Sequence, residues 1–419
     1  MRFKADRAFR CLKLLAPILS NPQVARLAAL LNSSGSPHER VAQEFSVRLA
    51  GLLYSSPPER IVWANILVPS ELIWGLGFIP FYPEIAAATI ARFGLAPEAL
   101  RLADELGVPR DLCSFHRAAI GFAEAGFFPK AGAFVAVNYP CWTAAVFLSW
   151  EAFRHNLPFY LIDMPSDFTE DSAHYLAYSL EEVAQGLAST RGNRYYIRGI
   201  EKALRLSNEA RSLALEATEM RKFIPSPLKG SKMIGHLGLI AYLFGSPYGV
   251  AYYRAMRDYI RRIIAESRPE QEKQGARLYW MHLKPFYSTT LFHLVEDEKK
   301  AVIVFEEHSS VWWEPLVEGE PFLSLARKML SHPSLGPTEG RIARALADVQ
   351  AFKADGVIHF NHWGCRQSQG AIALLRRRLR GEGVPLLELE GDCIDENGYQ
   401  EGQIRVRMEA FLESLGGGL

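Results

Sequence analysis

Two hydrophobic rhythms alternate along this chain. Short runs rich in Val, Ile, Phe and Tyr give way to longer stretches where apolar residues return every three or four positions, the pattern of strands interleaved with helices. Ile61–Val68, Phe78–Tyr82, the run from Gly132 that stops at Pro140, and Phe159–Asp163 are the strands predicted in the first half. Between them lie helical patterns that begin at Pro69, with proline at the first turn, and at Ala96. The second half predicts strands at Arg277–Leu283, Ala301–Phe305, Gly356–Phe360 and Val384–Leu389. Helices are predicted at Leu291–Asp297, Phe322–Leu330, Thr338–Ala351, after Cys365, and at Gln403–Leu415. Alternation of this kind predicts an α/β fold: parallel sheets with helices on both faces and right-handed crossovers.

Breaks in the pattern divide the chain. Residues 1–60 are amphipathic helical stretches around the breaker Asn32-Ser-Ser-Gly-Ser-Pro37 and read as a helical lead-in. Residues 61–171 form a first α/β domain, and 172–267 carry helical patterning without a strand, an insert or bridge. Residues 268–419, after the polar linker Glu266–Gly275, form a second α/β domain. The fold class is thus α/β, with two Rossmann-like or flavodoxin-like parallel-sheet domains. Two uncharged runs, Ala131–Trp150 and Met233–Tyr253, are long enough to span a bilayer, but Asn138 and Pro140 interrupt the first, and His236 with Gly245-Ser-Pro-Tyr-Gly249 the second. The first reads as strand, turn and helix, the second as a buried helical hairpin. The charged start Met1-Arg-Phe-Lys-Ala-Asp-Arg7 is unlike a secretory signal, so a cytoplasmic protein is expected.

Charge narrows the partners. With 47 basic against 46 acidic residues in 419 there is no net field to draw nucleic acid or an anionic membrane. Neither a Walker-type Lys loop nor a G-x-G-x-x-G after a strand occurs, so the chain has no ATPase or nicotinamide motif of its own. Five cysteines, none in a C-x-x-C pair, make no disulfide framework; each is a small buried apolar residue or a metal ligand. Cys11 falls on the apolar face of its helix and reads as packing.

Cys113, Cys141 and Cys365 share one local grammar. Each sits just before a helix, two of them directly after a strand, at the edge where ligands bind in parallel sheets. A helix amino end favours a thiolate, the form that binds metal. Their wide separation leaves two readings open: a shared metal site across a cleft, or three unrelated cysteines. Three sulfurs without a fourth would suit an iron–sulfur cube with one iron left open. Cys393 is a possible fourth ligand, although the acidic turn Gly391-Asp-Cys-Ile-Asp395 would oppose an anionic cluster and favours a structural role. His359 and His362 flank the Gly364-Cys365 turn and, like Glu306, Glu307 and His308, either line the cleft or serve the core. Arg376-Arg-Arg-Leu-Arg380 either grips phosphate or forms a solvated helix face, the ordinary fate of such a run.

Several segments then resemble a known family: Pro69-Ser-Glu-Leu-Ile73, Asp111-Leu-Cys-Ser114, Asn138-Tyr-Pro-Cys141, Arg277-Leu-Tyr-Trp-Met-His-Leu-Lys-Pro-Phe-Tyr287, His362-Trp-Gly-Cys-Arg-Gln-Ser368 and Glu390-Gly-Asp-Cys-Ile-Asp395. With the ending Gly402–Glu413 they are similar to subunits of 2-hydroxyacyl-CoA dehydratases, of the 2-hydroxyglutaryl-CoA dehydratase D-component type, and of benzoyl-CoA reductases. The resemblance runs from about residue 60 to the carboxyl end. It implies a [4Fe–4S] cluster held between two α/β domains by Cys113, Cys141 and Cys365, its fourth site open to another ligand or the substrate. It also implies an acyl-CoA substrate, a second homologous subunit or a homodimer, and a separate ATP-hydrolysing iron–sulfur activator that delivers single electrons. The implied reaction is loss of water from a 2-hydroxyacyl-CoA through a ketyl radical. Glu71, at the start of a helix after a strand, is the nominated base or else only caps that helix. Competing readings are reductive dearomatisation of an aryl-CoA, a non-catalytic electron-relay or scaffold subunit, and a zinc-stabilised α/β protein.

Overall fold

The computed structural model describes residues 6–32, 35–190, 197–267, 275–333 and 335–416. Most of the polar linker, the centre of the 32–37 breaker and the first five residues lie outside the described residues. Ile61–Ala64 (β1), Ile79–Phe81 (β2), Ala133–Val137 (β3) and Phe159–Ile162 (β4) pair in parallel in the order β2-β1-β3-β4. Arg277–His282 (β5), Val302–Glu306 (β6), Gly356–His362 (β7) and Leu386–Gly391 (β8) repeat that order as β6-β5-β7-β8. The chain reverses its direction of winding between β1 and β3, and again between β5 and β7, and such switch points open a crevice beyond the carboxyl ends of the strands. Cys141 and Cys365 follow β3 and β7, equivalent strands of the two sheets.

Strand limits shift for local reasons. β1 stops at Ala64 because Asn65 turns its side chain onto the next strand, donating from Nδ2 to the Val137 carbonyl (3.1 Å) and accepting the Val137 N–H (3.0 Å). β7 runs two residues past Phe360, paired with β8 as far as His362 opposite Gly391. β8 begins only at Leu386, since Pro385 has no N–H to donate to a ladder. Both β3 and β7 are buried along their whole length, which explains their unbroken apolar character.

Helices Ile197–Met220 and Pro247–Glu266 pack on each other, and the second also packs on Pro37–Ser55 of the lead-in. One apolar core runs from Val62 and Val135 under the first sheet through this helical layer to Trp280 and Ile358 of the second. A smaller cluster, including Tyr279, Phe305 and Phe352, fills the opposite face of the second sheet. Among the described residues no helix is long and apolar enough to cross a membrane. Ala131–Trp150 is β3, a turn and the helix Trp142–His155, whereas Met233–Tyr253 is spread over three helices. Cys11 departs from its expected place in the core: it is exposed. Its helix, Asp6–Leu19, is apolar on both sides and turns Phe9 and Ala16 inward, so Leu14, Leu15 and Cys11 face out.

Candidate functional site

Cys113, Cys141 and Cys365 each occupy the residue before the first turn of a helix: Ser114–Glu124, Trp142–His155 and Arg366–Gly381. Side chains at the strand ends fix the loops that carry them. Asn138 bonds Asp163 and accepts the Met164 N–H (2.9 Å), tying the exit of β3 to that of β4. The two halves meet where Gly364 passes Cys113. A Cβ at residue 364 would lie 2.6 Å from the Cys113 Cα, closer than any side chain allows, so only glycine lets these loops touch. Beside that crossing Ser114 donates to Asp392 (2.6 Å), whose same oxygen accepts the N–H groups of Ile394 and Asp395.

His362 locks this junction. The Cys393 N–H donates to its Nδ1 (3.2 Å), so Nε2 carries the proton and donates to the Cys113 sulfur at 3.4 Å. Phe115 stands edge-on against the same ring, with centroids 5.5 Å apart. Cys393 itself is fully buried behind the histidine, where its carbonyl accepts the Phe286 N–H (2.8 Å).

All three cysteines line one cavity of 320 Å³, bounded by loops and helices that follow strands of the first sheet, by His282 and His362 of the second, and by the short helix Leu237–Leu243. Burial pushes the Cys141 thiol up to about 12 and raises Cys113 and Cys365 too; neighbouring thiols add to the shift at Cys113 and Cys141. N–H groups of Phe115, at Cys113, and of Ser368 and Gln367, at Cys365, pull the other way without prevailing. Burial thus opposes the charge that the helix ends favour, and a cationic group at the sulfurs would favour their ionised form. Among the described residues no three His, Cys, Asp or Glu side chains converge tightly enough to hold a single metal ion.

Other cavity side chains are poised for a polar ligand. Glu84, in the first turn of the helix Pro83–Ala91, has a carboxyl pushed up to about 7 by burial, against the pull of its own N–H and that of Ile66. Its Oε2, His116 Nδ1 and Trp313 Nε1 are buried without a protein partner, and all three residues line the cavity. Sequence reasoning missed Glu84, although Tyr82-Pro-Glu84 repeats the strand-to-helix placement that singled out Glu71.

Glu71 is not among the lining residues. It is fully buried beneath the wall, 2.5 Å from Lys328 Nζ and 2.6 Å from the Ser207 hydroxyl. Burial works to raise its pKa, but Lys328 and Ser207 hold the carboxyl below the ordinary range, so it is a weak base. Glu307 lines the cavity paired with Arg341 (2.5 Å) and accepts the His282 N–H (2.9 Å). His308 and His362 line it as well, whereas His359 stacks behind on His282, centroids 5.8 Å apart. Glu306 forms a buried two-bond pair with Arg221 (2.9 and 2.6 Å) away from the cavity. Arg376 grips Glu388 on a surface helix, its neighbours facing solvent, which places that basic run outside the site.

Comparison with known proteins places the chain as a whole in a family. The model of the family described as 2-hydroxyglutaryl-CoA dehydratase, D-component, matches residues 65–415. The (R)-phenyllactyl-CoA dehydratase alpha subunit of Clostridium sporogenes is 23% identical over 372 residues, 85% of this chain and 90% of that protein. The lactoyl-CoA dehydratase subunit alpha of Anaerotignum propionicum is 19% identical over 385 residues, 85% and 91% of the two chains. The (R)-2-hydroxyisocaproyl-CoA dehydratase alpha subunit of Clostridioides difficile is 18% identical over 372 residues, 84% and 89%.

Proposed function

The chain belongs to the 2-hydroxyglutaryl-CoA dehydratase D-component family, and from that premise we propose that it is the [4Fe–4S]-holding subunit of a cytoplasmic 2-hydroxyacyl-CoA dehydratase. Cys113, Cys141 and Cys365 hold the cluster, a second homologous subunit completes the enzyme, and a separate ATP-hydrolysing activator supplies the electron. The relatives' description as alpha subunits supports the two-subunit reading. One observation carries the proposal: three cysteines from loops of both sheets, each at a helix amino end, line the same cavity as an unpartnered carboxyl.

The residues fit such a group. Buried thiols that stay protonated alone become ligands once iron supplies the compensating charge, and helix N–H groups already point at two of the sulfurs. When bound, the cluster supplies one low-potential electron and a Lewis-acidic corner. The chain's own residues do the rest. The apolar walls exclude water, which strengthens every polar contact to the thioester. His116 Nδ1 and Trp313 Nε1 have free hydrogen-bonding capacity for its oxygens. Glu84 accepts the β-proton as the α-hydroxyl leaves, a base matched to neutral pH by its burial. Net, the 2-hydroxyacyl thioester loses water to give the enoyl thioester, and the electron is returned.

Anaerobic purification with iron and sulfide analysis tests the assignment. Wild type should carry one cube per chain and Cys365→Ser should lose it; a full cube retained in Cys365→Ser overturns the ligand set.

A further inference from the structure

The cavity is largely apolar away from the cysteines, with Phe244, Phe286, Trp312, Trp313 and Leu335 in its wall. Charged side chains are few there. Glu307 is tied to Arg341, Glu84 is a carboxyl without a counterion at its free oxygen, and Lys328 is the one ammonium or guanidinium among the described lining residues. That charge is already matched: Lys328 Nζ lies 2.5 Å from Glu71 and sits over the rings of Trp313 and Phe244, 4.3 and 5.2 Å from their centroids. Of the lining histidines, His116, His282, His308 and His332 are held below their usual range, burial being the first cause, which disfavours a charge on them.

We propose that this chain selects 2-hydroxyacyl groups with uncharged hydrophobic tails, aromatic or branched, against those ending in a second carboxylate, and that Glu71 sets the preference by masking Lys328. The proposal rests on the dehydratase reading and refines it. A second carboxylate would enter a desolvated space that already holds Glu84 and Glu307 and offers no unmatched cation, and an unpaired buried charge is strongly disfavoured. An aryl or branched tail meets flat aromatic surface instead. Rejection is therefore built into the wall as an absent counterion.

Glu71→Gln tests this directly. The amide keeps the shape of the side chain but leaves the Lys328 ammonium unmatched at the cavity. Phenyllactyl-CoA, 2-hydroxyglutaryl-CoA and free CoA are titrated into the anaerobically purified holoenzyme. Wild type should bind the phenyllactyl ester at least about tenfold more tightly than the 2-hydroxyglutaryl ester, Glu71→Gln should shift that ratio toward the latter by about tenfold, and Glu71→Gln/Lys328→Met should restore it. Should Glu71→Gln fail to fold, Met329→Lys places an unmasked ammonium on the same wall and carries the same expectation. Equal wild-type affinity for the two esters, or an unchanged ratio in a folded variant, overturns the specificity. Neither ester binding above free CoA overturns the dehydratase reading itself.

Discussion

Two glutamates in the same setting end with opposite chemistry. Glu71 and Glu84 both open a helix just after an apolar run, yet Lys328, 257 residues downstream of Glu71, claims the first and leaves the second alone. No local pattern distinguishes them; the difference lies in a long-range partner that only folding supplies. A carboxyl that titrates near neutrality gives two coupled expectations. If Glu84 is the base, kcat/KM should rise with pH and level off above about 7, and Glu84→Gln should flatten that limb and cost roughly 10²–10⁴ in kcat. Stability moves in the other direction. Because the folded pKa is raised, the wild type loses stability relative to Glu84→Gln as pH climbs from the ordinary carboxylate range through about 7. A slow variant with an unaltered pH profile, or a melting difference that ignores pH, would remove Glu84 from the role.

At the level of elements, the strand–loop–helix unit made the placement of the cysteines before helices legible. Apolar runs that stop at Asn138-Tyr-Pro-Cys141 and His362-Trp-Gly-Cys365 placed two cysteines at equivalent crevices, and Cys113 at the mouth of a third helix. Parallel alternation was readable because strands buried on both faces need no polar positions. Less legible were the ends of β1 and β7, decided by Asn65 reaching across to Val137 and by His362 pairing opposite Gly391. Burial of the thiols was not legible either, since helix ends are visible in sequence and desolvation is not. Convergence of the two halves depends on a close approach at one glycine. Gly364→Ala forces the loop off the Cys113 backbone and should cost about 1–3 kcal/mol, and, if Cys113, Cys141 and Cys365 hold the proposed cluster, lower its iron content. Gly370→Ala is the control, a helical position with nothing within 4 Å; it should be neutral or gain about 0.5–1 kcal/mol and leave iron content as in the wild type. Urea midpoints and iron content measured on both variants decide the matter: equal behaviour would mean that the crossing at Gly364 does not control the site.

For the whole molecule, the cavity exists only while two sheets and a helical layer keep their relative positions. Much of that fixing is apolar, through the core shared from Val62 to Ile358, but buried ion pairs also fasten the layers directionally, Glu71 with Lys328 and Arg221 with Glu306. Arg221, just beyond the helix Ile197–Met220, makes two hydrogen bonds to Glu306 at the end of β6, with side chains 2% and 1% exposed. Strand β6 leads straight into Glu307 and His308 of the cavity wall, so displacement of Glu306 is transmitted to the site over one residue. A buried pair of this kind contributes little net stability against an apolar replacement, yet breaking it on one side strands a charge. Arg221→Met should therefore cost about 3–5 kcal/mol and weaken binding of CoA esters, whereas Arg221→Met/Glu306→Leu should recover most of the stability. Binding by the double variant then separates two roles of the pair. Recovery of ester affinity along with stability would mean that the layers need only be neutral and packed; stability regained without affinity would assign to the Arg221 fork the task of aiming β6 at the cavity.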